Sequence, residues 1–560
     1  MNRRDLFRGA SSMALAAAAP AKGFLDKHRN LFTGDSCVYF YNPEIFHPEG
    51  LPYTAKAIHR YVDLLAASGV DTFLSNPNAQ VAWYPSKKLE TILDGYKRGD
   101  REFFRAHGKA ARVPGDEMEA YLDQMVKFQN LYLDLVEGGV DWLRETVKAC
   151  RRNKIAAWVS IRMNDTHGAL EPTSYFNCKL FKDPVNRLAG RQADPRDANY
   201  SKWMALNYGR KQVRDFMMAH IVESIDDYGF DGLELDWLRD PHILEPGASE
   251  ADCRMMTAWI REIRAVTARR ARITGKPVPL GMRIPANLGY LRSRGLDVRA
   301  IAQEGLVDFV GFSNYWQTTW DLPYDQLRAE IGPHVAIYGV VEDAPNWIQG
   351  YSSLPEVKPS LRYLSASAPM LRANAAGKLV MGVHGIEQFN FFCSDQPKIP
   401  GMRGDYDALR NIHNLEFLRG KPKHYCLASP SGHLTMLWET PEQVPAVIDS
   451  RNRREFRLSM CAEPPAARLF AQVVIEKPAA AVRLGVSFNG AWPTYESRET
   501  REMLFPSGAL TQFSDTLTAW EFPLDAAMIR DGFNTLTVLN NTKTPPAAVK
   551  VMSVELAIKS

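Results

Sequence analysis

The stretch YGFDGLELDWLRDP, residues 228–241, decides how the rest of this chain is read. Side chains in a strand alternate faces, so Gly232, Glu234 and Asp236 share one face while Leu233, Leu235 and Trp237 share the other. Turn-forming residues bound the segment, and a long helical pattern lies on either side of it. The segment therefore reads as a short buried strand that delivers two acids to one spot. Buried carboxylates need partners, and they gather where carboxylate chemistry is done.

Working outward, apolar runs of strand length alternate with amphipathic stretches of helical period, the mark of parallel βα units. Strands are expected at 37–41, 70–75, 155–162, 232–236, 278–283, 307–313, 335–341 and 379–384. Helical patterns fall at 53–67, 139–152, 210–228, 251–274, 298–304, 360–376 and 406–418. Eight strands alternating with helices over residues 35–420 predict a (β/α)8 TIM barrel, with an open doubly wound sheet as the alternative. A long insertion at 76–134, containing Trp83-Tyr84-Pro85, follows the second strand and should hang over the catalytic face. Beyond Arg419 the texture changes to short strands at 433–438, 455–460, 469–476, 482–488, 518–522 and 535–539, which predicts a C-terminal all-β sandwich over 421–560. The run FPLDAAMIRDGFNTLTVLNN, residues 522–541, resembles the closing strands of jelly-roll modules found with secreted carbohydrate enzymes.

At 560 residues, with 45% hydrophobic and 24% charged residues, the chain is ordinary globular material with room for two or three domains. Residues 1–21 join a basic start containing Arg3-Arg4 to a small apolar run and Ala19-Pro-Ala21. They resemble a twin-arginine signal peptide, and the expectation is handling by the twin-arginine export machinery, cleavage near Ala21, and a periplasmic or secreted protein with no membrane partner after cleavage. Removing Arg3, Arg4 and Arg8 with Asp5 lowers the formal charge from +4 to +2, which gives no argument for nucleic acid as a partner. Seven widely spaced cysteines with no C-x-x-C form neither a disulfide framework nor a zinc signature. Phosphate-loop, dinucleotide, zincin and serine-elbow motifs are missing, so no cofactor and no metal are expected.

In a barrel, chemistry sits at the carboxyl ends of the strands. The third strand ends with Arg162, Asn164, Asp165 and His167, the fourth with Glu234, Asp236, Arg239 and Asp240, and the fifth with Arg283 and Asn287. The sixth ends with Asn314 and Trp316, the seventh with Glu342 and Asp343, and the eighth with His384 and Glu387. Pooled, they suit a polyhydroxylated substrate.

Within 228–241 the pattern Asp231-Gly232-x-x-x-Asp236-x-x-Arg239-x-Pro241 is similar to the fourth-strand motif of the glycosyl hydrolase-like family 10 proteins, barrels of the wider glycosidase superfamily. The stretch from Arg214 to Tyr228, Gly295-Leu-Asp-Val and Glu304-Gly-Leu-Val-Asp308 also resemble this group. The resemblance spans 35–420 and implies a glycan-active barrel with Asp236 as its central acid. The same segment is similar to the chitinase signature D-G-x-D-x-D-x-E, but Leu238 stands where that family has its catalytic glutamate, so a chitinase mechanism would lack its proton donor.

Glycoside hydrolysis needs one carboxyl kept protonated and one ionised. Asp236 takes the ionised role, with Arg239, Arg162 or Arg283 to hold its charge; Glu234, Glu342, Glu387 and Asp165 are the candidates for the acid. Arg162, Asn164, His167, Arg239, Arg283, Asn314, Trp316 and His384 are candidate substrate-binding residues. Each has a plainer reading: Glu234 paired with Arg162 or Arg283, Asp165 capping its own loop, Arg239 and Asp240 forming a surface pair, and the histidines and Trp83, Trp316, Trp320 and Trp347 simply packing. The expected function is an exported glycoside hydrolase cleaving a poly- or oligosaccharide. The alternatives are a non-catalytic glycan-binding protein on the same barrel, or a metal-dependent hydrolase or lyase using Asp165, His167, Glu234 and Asp236. Arginine-rich strand ends also raise the expectation of a carboxylated or sulfated sugar.

Overall fold

The computed structural model describes residues 22–35, 38–188, 204–314, 318–342, 366–389, 406–428, 442–478, 480–493, 496–507, 510–543 and 548–559. The expected signal segment, Asp343, Trp316, Trp347 and the strand at 433–438 lie outside these. Among the described residues no helix is long and apolar enough to cross a membrane.

Eight parallel strands close into a barrel in chain order, each paired with its sequence neighbours and the eighth with the first. They are β1 (Asn30–Asp35), β2 (Thr72–Asn76), β3 (Ala156–Arg162), β4 (Gly232–Asp236), β5 (Leu280–Pro285), β6 (Phe309–Ser313), β7 (Ala336–Glu342) and β8 (Gly385–Phe389). Helices on the outside include α1 (Lys56–Ala67), α2 (Met118–Glu137, from the insertion), α3 (Trp142–Arg152), α4 (Lys211–Val222), α5 (Glu250–Thr274), α6 (Val298–Gln303), α7 (Tyr324–Ile331) and α8 (Ala368–Val380).

Two strands differ from expectation. Residues Val38–Tyr41 form a short helix, and β1 precedes them. Three consecutive buried residues, Val38, Tyr39 and Phe40, defeat a two-residue alternation, and the Phe40 ring stacks on Tyr132 with centroids 3.7 Å apart. The eighth strand begins at Gly385, after the expected span, because Leu379 and Val380 complete the apolar face of α8 and Gly382, at φ +83°, turns the chain.

The barrel interior is built in layers. At the bottom, Leu31, Leu74, Trp158, Phe309 and Tyr338 form an apolar plug joined by Leu25. Glycines on neighbouring strands make room for it: a Cβ on Gly232 would stand 2.7 Å from the Trp158 ring, and one on Gly281 only 2.2 Å from Phe309. Above the plug the inward positions turn polar, which is what lets an interior this deep hold a site.

The C-terminal domain is antiparallel. One sheet runs β10 (Ala446–Ile448), β19 (Val549–Lys559), β12 (Arg468–Glu476), β17 (Leu517–Asp525), β14 (Arg498–Thr500), with β9 (Lys423–Ala428) also on β19. A second runs β11 (Arg453–Met460), β18 (Gly532–Asn540), β13 (Leu484–Phe488), and β15 (Glu502–Ser507) pairs with β16 (Leu510–Gln512) as a two-stranded ribbon. Their inner faces share one apolar core. At the junction Ser459 of β11 donates its backbone N–H to Trp320 O at 2.9 Å and its hydroxyl to Gly377 O in α8 at 2.6 Å.

Candidate active site

Two inward layers of ionisable residues sit above the plug. In the upper one Arg283, 1% exposed, is the hub: Nη2 donates to Asp236 Oδ2 at 2.8 Å and Nη1 to Glu342 Oε1 at 3.0 Å. The guanidinium lies 3.4 Å from the centroid of the Phe389 ring, a cation–π contact that fixes its plane. Asp236 Oδ1 accepts two further hydrogen bonds, from the backbone N–H groups of Leu238 at 3.1 Å and Arg239 at 3.2 Å. The turn after β4 thus folds back over its own acid.

Glu342 ends β7. The Thr318 hydroxyl accepts from Glu342 N at 2.7 Å and donates to Glu342 O at 2.8 Å, so the loop after β6 grips this residue by its backbone. Burial pushes the Glu342 carboxyl up to about 8; Arg283 opposes the shift, and the charges of Asp236 and Glu387 add to it.

A second cluster stands on β3. Arg162 Nη2 meets Asp35 Oδ1 at 2.5 Å and Nη1 meets Asp165 Oδ2 at 3.2 Å, while Trp83 from the insertion lies 4.8 Å from the guanidinium. His167 Nδ1 is 2.8 Å from Asp165 Oδ1, and its Nε2 is 2.8 Å from Arg239 Nη2. A guanidinium only donates, so Nε2 accepts and the ring proton on Nδ1 goes to Asp165. Burial works to raise the Asp165 carboxyl, but His167, Arg162 and Arg239 outweigh it and hold the acid well below the usual carboxylate range. Asp165 also accepts His167 N at 3.1 Å, the loop-capping role anticipated for it.

The lower layer pairs Glu234 with Glu387, not with an arginine: Ser160 Oγ donates to Glu234 Oε1 at 2.7 Å and Thr33 Oγ1 to Glu387 Oε1 at 2.8 Å. Asn164 is committed to structure. Its amide donates to Leu206 O and His242 O and accepts from Leu206 N, tying two loops together. Asn314 donates to Thr319 Oγ1 at 3.0 Å. Arg239 and Asp240 are 3% and 1% exposed, so they are no surface pair; Asp240 receives Thr166 N at 2.8 Å.

His384 does not join the site. It precedes β8, at the opposite end of the barrel, where Nε2 meets Leu25 O at 2.9 Å beside a cleft of about 270 Å³ lined by Arg328, His334 and Gly382. The misplacement follows from the late start of β8. Asp165, His167, Glu234 and Asp236 do not converge as ligands, and among the described residues no group of three or more His, Cys, Asp or Glu is arranged to hold a metal ion. Asp35, Thr33 and Thr318 escaped the sequence reading. Asp35 carried a usable signal, an acid closing the strand NLFTGD; Thr318 carried none.

No family model matches the chain. Over 121 residues, 20% of this chain, it is 29% identical to a 1,4-alpha-glucan branching enzyme GlgB 2 of Xanthomonas oryzae pv. oryzae, and over another 121-residue alignment 28% identical to that of Xanthomonas euvesicatoria pv. vesicatoria. The chain spans 15% of the length of these curated relatives. Among solved structures it is similar to an alpha-amylase from Geobacillus thermoleovorans complexed with acarbose (12% identity, TM-score 0.37, covering 92% of this chain and 99% of that one). It is also similar to alpha-L-fucosidase isoenzyme 1 from Paenibacillus thiaminolyticus (12% identity, TM-score 0.37, covering 97% and 100%). Likenesses this distant leave the activity to be argued from the chain's own residues.

Proposed function

We propose that this chain is an exported glycoside hydrolase in which Asp236 is the ionised carboxylate and Glu342 the proton donor. The observation that carries the reading is the Arg283 fork, which holds both acids on one guanidinium at the strand ends. Their surroundings differ as acid/base catalysis requires: Asp236 faces three donors, while Glu342 is kept protonated at neutral pH by burial. Glu342 gives its proton to the leaving glycosidic oxygen as that bond breaks, and Asp236 faces the sugar carbon where positive charge develops. Water then supplies the new hydroxyl, and its proton returns to Glu342. The partial likeness to a branching enzyme and the resemblance of the β4 motif to glycosyl hydrolase-like family 10 proteins support the same class.

The substrate we favour is neutral. Arg162 and Arg283 each already bridge two carboxylates, and six acids (Asp35, Asp165, Glu234, Asp236, Glu342 and Glu387) face three arginines here. An added sulfate or carboxylate would have to displace one of those acids, contrary to the anionic sugar expected from arginine content alone.

The test is a release assay on neutral, acidic and sulfated polysaccharides with the wild type, Asp236→Asn, and chelator controls. Cleavage of neutral glycans that Asp236→Asn removes, with glycan binding kept, is the expected result. Binding without cleavage by either protein would move the assignment to a glycan-binding protein, and loss on chelation to a metal-dependent hydrolase or lyase.

A further inference from the structure

Beneath Arg283 lies a pair of acids that the proposed chemistry does not use. Glu234 precedes Asp236 by two residues on the inner face of β4, and Glu387 faces it from β8; both side chains are fully buried. One oxygen of each is satisfied by a hydroxyl, from Ser160 and from Thr33. The two carboxyls lie within hydrogen-bonding reach of one another, and both Oε2 atoms meet no donor among the described residues. The site has no slack on the β6 side, since a Cβ on Gly311 would stand 2.6 Å from Glu387 Oε2. Among the described residues no cation hydrogen-bonds to the pair: both Nη atoms of Arg283 are taken by Asp236 and Glu342, and its guanidinium acts on the pair only through its charge.

Two carboxylates cannot touch at hydrogen-bonding distance in a dry interior; one proton between them turns repulsion into a strong hydrogen bond. We infer that Glu234 and Glu387 share a single proton, forming an acid–carboxylate pair of net charge −1 that acts as a positioning pair under Asp236 and Glu342. The role in catalysis rests on the reading of Glu342 as proton donor; the shared proton does not. Burial pushes Glu387 up to about 7 and raises Glu234 well above the ordinary range, as such a pair requires. The ionisable groups around it are Asp236 on β4, Arg283 on β5, Tyr338 and Glu342 on β7, and Tyr324 from α7. With one proton in place the lower layer presents Glu342 with a single negative charge, which helps keep its proton on; a fully ionised pair would add a second charge next to Asp236.

Infrared difference spectra of the full chain at neutral pH test the proton directly. Wild type minus Glu387→Gln and wild type minus Glu234→Gln should each show loss of the same single protonated-carboxyl C=O band, because either substitution removes the one shared proton and lets the new amide donate in its place. Two different bands would mean two separately protonated acids, and no band would mean an ionised pair; either overturns the inference. So would a calcium-dependent rise in Tm of the wild type that chelator reverses, which would put a cation where the proton is inferred. Should the variants not fold, counting carboxyl bands in wild type labelled with 13C-glutamate and titrated through neutral pH gives the same decision. For the positioning role, Glu234→Gln/Glu387→Gln removes the negative charge, and the basic limb of the kcat/KM profile should move to lower pH by roughly half a unit or more. An unmoved limb overturns the role. If no glycan is cleaved even by wild type, the proposed function has failed, while the infrared result still decides the shared proton.

Discussion

Replacing Glu342 by Gln should flatten one part of the pH–stability curve. Burial, opposed by Arg283 and assisted by Asp236 and Glu387, moves this carboxyl from 4.5 to about 8. The folded chain then holds a proton that the unfolded chain releases, so Glu342 contributes its full stability below about 4.5 and loses it as pH rises through about 8. At about 1.4 kcal/mol per pH unit, the ceiling over that window is on the order of 5 kcal/mol. Glutamine keeps the oxygen that accepts from Arg283 Nη1 and cannot ionise. Urea unfolding of both proteins across the window should show the variant gaining several kcal/mol on the wild type as pH rises. Only this difference is diagnostic. His28 and His220, each lowered to about 4 chiefly by burial, give both proteins stability that is present above 6.5 and lost as pH falls through about 4. Parallel curves for wild type and Glu342→Gln would refute a native-state proton on Glu342, and with it the assignment of the catalytic acid.

Arg283→Met should leave Asp236 and Glu342 buried without their cation and cost about 3–5 kcal/mol near neutral pH; unfolding experiments should find much of this recovered on acidification, and full stability near neutral pH would contradict the hub role. Gly377→Ala would place a Cβ 2.5 Å from the Ser459 carbonyl, where α8 meets β11. A loss of about 1–3 kcal/mol is expected, read as a drop in Tm, and an unchanged Tm would show that the sandwich is not packed on the barrel as described.

Legibility in the sequence followed physical pattern. The strand 232–236 coincides with its expected bounds because alternation was complete there, with acids and glycine inward and leucines outward. The strands at 37–41 and 379–384 were misplaced because unbroken apolar runs do not distinguish a buried strand from a buried helix. Asp165, Asp236 and Glu342 were readable at or just past their strand ends, since barrel topology brings those ends together, whereas Glu387, expected beyond the eighth strand, lies within β8 because that strand begins late. Partner choice was not: whether Glu234 meets an arginine or Glu387 depends on a register across β8, β1 and β3 that no local pattern encodes. Thr318 holds the backbone of Glu342 from another loop, and a lone threonine has no signature.

The layered interior explains how so many acids coexist in one barrel. Small residues stand against large ones at each level: Gly232 against Trp158 and Gly281 against Phe309 in the plug, then Gly311 against Glu387 above it. The plug removes water from below, which raises the cost of every charge in the layer above. One shared proton meets that cost in the lower layer without an arginine, and this frees Arg283 to bind both acids of the upper layer. Were Glu234 and Glu387 both charged, Arg283 would be drawn down towards them and Asp236 and Glu342 would lose their common anchor. The proton beneath and the guanidinium above are therefore one electrostatic arrangement, and the acid/base asymmetry of Asp236 and Glu342 depends on both.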